Sequence, residues 1–201
     1  CVNDGSTDGS LSKLEAYASK DPRIRVFSKP NGGALNARNY GVRQACSKWL
    51  YRMDADDLLS PDLLEEMIRT ANEQDADYVI PEQVHWWPDQ PEKTYYFNRE
   101  HGVFEKLSGR EALIKSLMWE FHGRAMCRLD TYMKYTFDSD IGFIDEYVAR
   151  LVILNSRKIV YSKGEYYYRQ NAGSLCYKPS VRRFHVLERS RLSEQLLLTV
   201  C

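Results

Sequence analysis

The sequence predicts an α/β fold in which a mostly parallel central sheet is flanked by helices. Three observations lead there. Over residues 1–80, short apolar runs alternate with amphipathic stretches of about a dozen residues, the pattern of repeated βαβ units. The 201 residues suit one domain, and 43% hydrophobic against 28% charged residues is an ordinary globular balance that excludes disordered, collagenous and low-complexity classes. No internal repeat and no long linker interrupts the pattern.

Taken in order, Cys1-Val2 reads as the end of a strand, Leu11 to Ser19 as a helix and Ile24 to Phe27 as a strand. Ala34 to Cys46 is predicted helical, Trp49-Leu50-Tyr51 extended, Pro61 to Asn72 helical behind the Ser60-Pro61 start signal, and Tyr78-Val79-Ile80 extended. From Pro81 to Glu105 three prolines, two adjacent tryptophans and Tyr95-Tyr96-Phe97 suggest an extended, partly exposed insertion. Helices are expected at Gly109 to Leu117 and Asp145 to Asn155, strands near Lys158 to Tyr161 and Glu165 to Arg169, and a helix between Ser180 and Val200.

Lys plus Arg and Asp plus Glu both number 28, so a whole-surface affinity for nucleic acid or anionic lipid is excluded. Local charge is uneven. Residues 23–48 carry six bases and no acid, whereas residues 54–77 carry nine acids against Arg69. Such a junction suits a metal–diphosphate site, although Arg43, Lys48, Glu65, Glu66 and Glu73 read as solvated helix faces. The five cysteines are widely spaced without a CxxC pair, which argues against a disulfide scaffold or zinc site and for a cytoplasmic setting. No apolar run approaches the roughly 18 residues of a membrane span. The tail, with Lys178, Arg182, Arg183, Arg189 and Arg191 against Glu188 and Glu194, could rest on the inner face of a membrane, but a packed helix is the preferred reading.

Three motifs carry chemistry. Val2-Asn3-Asp4-Gly5-Ser6-Thr7-Asp8-Gly9-Ser10 is a strand end, a small-residue turn and a helix start. Its rival reading is a calcium loop, because Asp4, Ser6, Asp8, Gly9, Ser10, Ser12 and Glu15 fall on EF-hand positions 1, 3, 5, 6, 7, 9 and 12. Only three residues precede Asp4, too few for the entering helix. Thr7, Asp8 or Ser10 as a helix cap is the third reading. The second motif, Asn31-Gly32-Gly33 running into a helix with Arg38 about one turn in, offers close backbone approach and a helix N-terminus to a nucleotide diphosphate. It is also a common turn. The third, Met53-Asp54-Ala55-Asp56-Asp57, places carboxylates directly after a strand, where Asp54 and Asp56 can hold a hard divalent cation that bridges diphosphate oxygens.

In this order and spacing the three motifs resemble glycosyltransferase family 2, the inverting nucleotide-sugar transferases of the GT-A fold. The resemblance is specific over residues 1–80 and continues loosely through Ile144-Asp145-Glu146-Tyr147 and Tyr166-Tyr167-Tyr168-Arg169-Gln170. It implies one domain over 1–201, with a nucleotide-binding half at 1–80, an acceptor and catalytic half at 81–177 and a C-terminal helix at 178–201. The family's first strand has no counterpart before Cys1, so an N-terminally incomplete fold is expected.

The resemblance further implies that Asp4, Gly33, Arg38 and Asp54 bind the donor nucleotide and that Asp56 holds Mg²⁺ or Mn²⁺. Asp145 would be the catalytic base, with Glu146 as the fallback because Ile144 stands where relatives carry Glu. Arg169 and His122 are candidate diphosphate or acceptor contacts. The donor would be a UDP-sugar and the acceptor a glycan or lipid-linked hydroxyl, in cell-surface polysaccharide assembly. The QxxRW motif of processive polymerases is absent, which suits transfer of a single sugar. A non-catalytic nucleotide-sugar or glycan-binding module is the alternative. Trp86, Trp87, Tyr95, Tyr96 and Phe97 read as hairpin or core pairs in preference to an acceptor platform.

Overall fold

In the computed structural model, which describes residues 1–101, 105–121, 123–135, 144–170 and 185–198, the chain divides into two compact units. The first contains Cys1–Ser47 and the second Lys48–Tyr135 with Ile141–Cys201.

In the first unit, β1 (Val2–Asp4) pairs in parallel with β2 (Phe27–Lys29), α1 (Ser10–Ala18) connects them, and α2 (Ala34–Gln44) follows. Asp8, just before the α1 N-cap Gly9, accepts the Ser10 N–H at 3.0 Å and so satisfies one of the helix's open donors. β2 lies later than its apolar residues suggest. Polar partners set its register: Asn3 Nδ2 donates to Ser28 Oγ at 2.9 Å, one position before the Asp4–Lys29 pair. α2 packs closely on β1, since a Cβ at Gly41 would lie 3.1 Å from Val2 Cγ2.

The second unit contains β3 (Trp49–Tyr51), β4 (Leu58–Leu59), α3 (Leu63–Glu73), β5 (Tyr78–Trp86), β6 (Tyr95–Tyr96), α4 (Phe97–His101) and β7 (Lys106–Leu107). It continues with α5 (Gly109–Leu117), β8 (Met126–Arg128), α6 (Leu129–Met133), α7 (Ile144–Leu154), β9 (Ile159–Arg169) and α8 (His185–Leu198). The strands form one sheet in the order β3-β8-β5-β9-β4, with β6 beside β5 and β7 beside β9.

The α/β class is as predicted, but this sheet is mixed and not mostly parallel. Among its pairings β5–β9 alone is parallel. The reason is β8, a three-residue strand without a sequence signal, which inserts antiparallel between β3 and β5. Those two strands therefore keep the common direction that their βαβ pattern implies while never touching.

The expected insertion from Pro81 is also different in kind. Residues 81–84 are buried and continue β5, the strand at the centre of the sheet. Pro81 is tolerated because the β5–β9 register shifts between Ile80 and Glu82, so no ladder N–H is required of it. The aromatic residues after it are hairpin partners, Val84 opposite Tyr96 and His85 opposite Tyr95.

α3 forms as an amphipathic helix with Glu65 and Glu66 in its first turn, where the helix dipole favours acids. Its stripe Leu63, Met67, Thr70 and Ala71 is buried, and the apolar members pack with Val79, Met126 and Val160. On the outer face Arg69 pairs with Glu66 and Glu73, the solvated charges that the sequence suggests. α8 buries Ser193 and Leu196, and Arg150 of α7 donates to Ser193 Oγ at 3.2 Å, so the tail helix packs on the fold. Among the described residues no helix is long and apolar enough to cross a membrane.

Gly164 lets α3 sit directly on β9, because a Cβ there would lie 2.8 Å from the Leu63 Cα. Backbone cannot yield as a side-chain tip can. Gly164→Ala is expected to lower unfolding free energy by about 1–3 kcal/mol, the usual cost of overpacking, as measured by urea denaturation; an unchanged midpoint would contradict this packing.

Candidate functional site

β3 and β4 stand at opposite ends of the strand order, so the segment between Tyr51 and Leu58 must cross the sheet. Within it, Asp57 N–H donates to the Asp54 carbonyl at 3.3 Å, closing a β-turn with Ala55 and Asp56 at its exposed tip.

Asp57 anchors this turn. Its carboxylate is fully buried, accepts from Arg124 at 2.7 Å and from the Arg169 backbone N–H at 2.9 Å, and receives the Tyr166 hydroxyl on the oxygen it shares with Arg124. Arg124 also donates to Tyr166 Oη at 2.8 Å and to Asp54 at 3.2 Å. Its guanidinium lies over the Tyr168 ring at 4.4 Å and the Tyr166 ring at 5.0 Å. Burial works to lower the Arg124 pKa, but Tyr166, Asp54 and Asp57 more than reverse that and hold the cation charged. Burial, opposed by Arg124 and aided by Asp57, pushes the Tyr166 phenol well above its ordinary value, so it stays a donor.

Of the residues expected at the site, Asp54, Asp56 and Arg169 are brought together here. Arg169 Nε donates to the Asp56 carbonyl at 2.7 Å, and its guanidinium stacks on Trp86 at 4.7 Å. Asp54 is 43% exposed at its side chain and Asp56 is exposed. Asp57 and Tyr166 lie in stretches the sequence marks, but neither they nor Arg124 are assigned a role by it. Asp57 is simply the last of three neighbouring acids, and Arg124 lies in a stretch with no pattern.

Asp145 and Glu146 open α7. Burial works to lower the pKa of Arg52, two residues before Asp54, but Tyr132 and Asp145 more than offset it; the Asp145 carboxylate is thus within electrostatic reach of β3's end. Glu146 lies 3.9 Å from Arg150 and lines a cavity of about 30 Å³ with Ser116, Trp119 and Phe121. His122 lies outside the described residues.

In the first unit, Asp4 ends β1 and Gly33 is the N-cap of α2, with half-buried Arg38 farther along that helix. Asp4 Oδ1 accepts from Lys29 Nζ at 2.6 Å and Gly32 N–H at 3.0 Å, while Oδ2 accepts from Gly33 N–H at 2.8 Å. Gly5 makes this closeness feasible: its φ is +70°, and a Cβ there would lie 2.7 Å from Asn31 N. The Lys29 hydrogen bond is the largest influence on the Asp4 carboxyl; desolvation, the next largest, opposes it, and the Gly32 and Gly33 N–H groups help to hold the pKa below its ordinary value.

This geometry removes the calcium-loop reading. A strand enters the motif, the first ligand position is bonded to an ammonium and two amides, and Ser10, Ser12 and Glu15 lie on helix α1 instead of on a twelve-residue loop. Lys29, one of the six bases of residues 23–48, is likewise committed to Asp4.

The family model "Glycosyl transferase family 2" matches residues 1–132. Glycosyltransferase GlyG of Streptococcus pneumoniae serotype 4 is 28% identical over 186 residues, which cover 87% of this chain and 61% of that protein. S. aureus TarS in complex with UDP-GlcNAc superposes with a TM-score of 0.74 at 19% identity, over 96% of this chain and 55% of that one. The mannosyltransferase PcManGT from Pyrobaculum calidifontis, in complex with GDP-Man and Mn²⁺, does so with a TM-score of 0.60 at 16% identity, over 96% and 54%. These neighbours share the GT-A fold. The chain thus spans 61% of GlyG and little more than half of the TarS 1–349 and PcManGT chains.

Because the folded Asp4 pKa is depressed, its contribution to stability is present above the unfolded value of about 3.9 and is lost as pH falls through the folded value. The stability gap between wild type and Asp4→Asn is expected to narrow from pH 7 to pH 3 in urea unfolding; a gap independent of pH would contradict the Asp4–Lys29–Gly33 geometry.

Proposed function

Because the chain belongs to glycosyltransferase family 2, we propose that it carries the donor and catalytic groups of an inverting enzyme that moves one sugar from a UDP-sugar to a hydroxyl of a glycan or lipid-linked acceptor. The observation that carries this reading is the acidic turn, which keeps Asp54 and Asp56 accessible while the adjacent Asp57 is buried as its anchor. Support for a nucleotide-sugar donor comes from the ligands of TarS and PcManGT, and the neighbour with the higher TM-score holds the uridine nucleotide. Cell-surface polysaccharide assembly is the proposed setting.

Asp54 and Asp56 would hold Mg²⁺ or Mn²⁺. Two hard carboxylate donors fit such an ion, and an exposed turn tip leaves its other positions to phosphate and water oxygens. Among the described residues no group of three or more His, Cys, Asp or Glu is placed to hold a metal ion. When bound, the ion would stabilise negative charge on the departing diphosphate.

The chain's own residues would do the rest. Asp4, Gly33 and Arg38 would line the nucleotide. Asp4 could do so through Oδ2, which accepts one hydrogen bond where Oδ1 accepts two. Asp145 would take the proton of the acceptor hydroxyl as its oxygen attacks the anomeric carbon, the new C–O bond forming while the bond to the diphosphate breaks with inversion. Glu146, paired with Arg150, is the second candidate for the base. Arg169, held by the Asp56 carbonyl and Trp86, would steady the turn beneath the diphosphate. His122 is kept as a candidate acceptor contact.

Calorimetric titration of UDP into the full-length protein, with and without Mn²⁺, tests the reading. Metal-dependent binding is expected, and Asp145→Asn should retain it while sugar transfer falls by about 10²–10⁴-fold, the usual contribution of a general base. Absence of metal-dependent UDP binding would overturn the transferase reading. Unchanged transfer in Asp145→Asn would remove Asp145 as the base.

A further inference from the structure

We propose that Arg124 and Tyr166 are positioning residues for the acidic turn: acting through buried Asp57, they set where Asp54 and Asp56 stand, and so govern metal and donor binding. The proposal rests on the transferase reading and adds to it two residues to which the sequence assigns no role.

Three carboxylates within four residues repel one another, and the segment that carries them joins two strands that do not pair with each other. Its position therefore depends on what it is tied to. Arg124 spans two of the three acids, with Nη1 at 2.7 Å from Asp57 Oδ2 and Nη2 at 3.2 Å from Asp54 Oδ2. A guanidinium can do this because its donors form a rigid planar fork, whereas an ammonium is a single point charge.

Tyr166 closes the arrangement. Its hydroxyl donates to Asp57, accepts from Arg124 at 2.8 Å, and lies 3.5 Å from the Asp54 backbone N–H. Both residues are themselves fixed. Tyr166 is 1% exposed and belongs to β9, and the backbone just before Arg124 is seated by the Tyr78 hydroxyl on the Gly123 carbonyl at 3.0 Å. A Cβ at Gly123 would lie 2.6 Å from the Ala149 Cβ, so α7 closes over the same segment. Groups that orient metal ligands from behind alter metal affinity without touching the ion, typically by 10–100-fold.

Tyr166→Phe and Arg124→Lys separate positioning from charge, because each leaves the net charge of the site unchanged. In full-length protein with UDP present, Mn²⁺ affinity read by electron paramagnetic resonance is expected to fall about tenfold or more in both. The donor KM should rise and the acceptor KM stay unchanged, with circular dichroism as in wild type. Wild-type Mn²⁺ affinity and donor KM in Tyr166→Phe would overturn the proposal and leave the transferase reading standing. Absence of Mn²⁺ and UDP binding in the wild type would overturn both. Should Arg124→Lys fail to fold, Tyr166→Phe decides alone, since it removes one oxygen atom from a ring that keeps its packing.

Discussion

The strand ends of the second unit depend on one buried carboxylate. An Asp57 side chain with no exposed surface is tolerable only if its oxygens are bonded and a counter-charge stands beside it, and Arg124, the Tyr166 hydroxyl and the Arg169 N–H supply both. Arg124 comes from the segment before β8, whereas Tyr166 and Arg169 come from β9. The crossing between β3 and β4 is thereby tied to strands it passes over and does not pair with. A turn fixed in this way can present Asp54 and Asp56 at its tip, which is what turns an acidic stretch of sequence into a candidate site.

The first unit uses the same chemistry on a smaller scale. Asp4 collects an ammonium and two glycine amides, and so binds the end of β1 to the turn that opens α2. The glycines answer specific needs: Gly5 for its positive φ and the closeness of Asn31, Gly33 as an N-cap with φ of +85°. In both units an acid beside a proposed ligand group first holds a loop in shape. Lys29, which belongs to the basic segment that the sequence reads as suited to a diphosphate, accordingly faces protein.

Much of the fold was legible because its helices are locally determined. α1, α2, α3, α5 and α7 announce themselves through apolar periodicity and end signals, and the Ser108–Glu111 capping box starts α5 where expected. Strands of two or three residues, such as β4, β6, β7 and β8, are too short to carry a period, and β8 decides whether the sheet is parallel or mixed. Pro81 misleads for a related reason, since only the register shift in β5 shows that its missing N–H goes unneeded. The acidic motif was legible as chemistry but not as architecture. The partners of Asp57 stand 67, 109 and 112 residues away, and nothing local distinguishes that carboxylate from its two neighbours.

The claim that the acidic turn is anchored through Asp57 can be tested most directly at the Arg169 amide, whose N–H donates to the Asp57 carboxylate. Native-state hydrogen exchange should find that amide protected to about the level of the central β5 amides, and Asp57→Ala should abolish the protection. An Arg169 amide that exchanges in the wild type as fast as an open loop would contradict the anchor, and with it the account of how Asp54 and Asp56 are held.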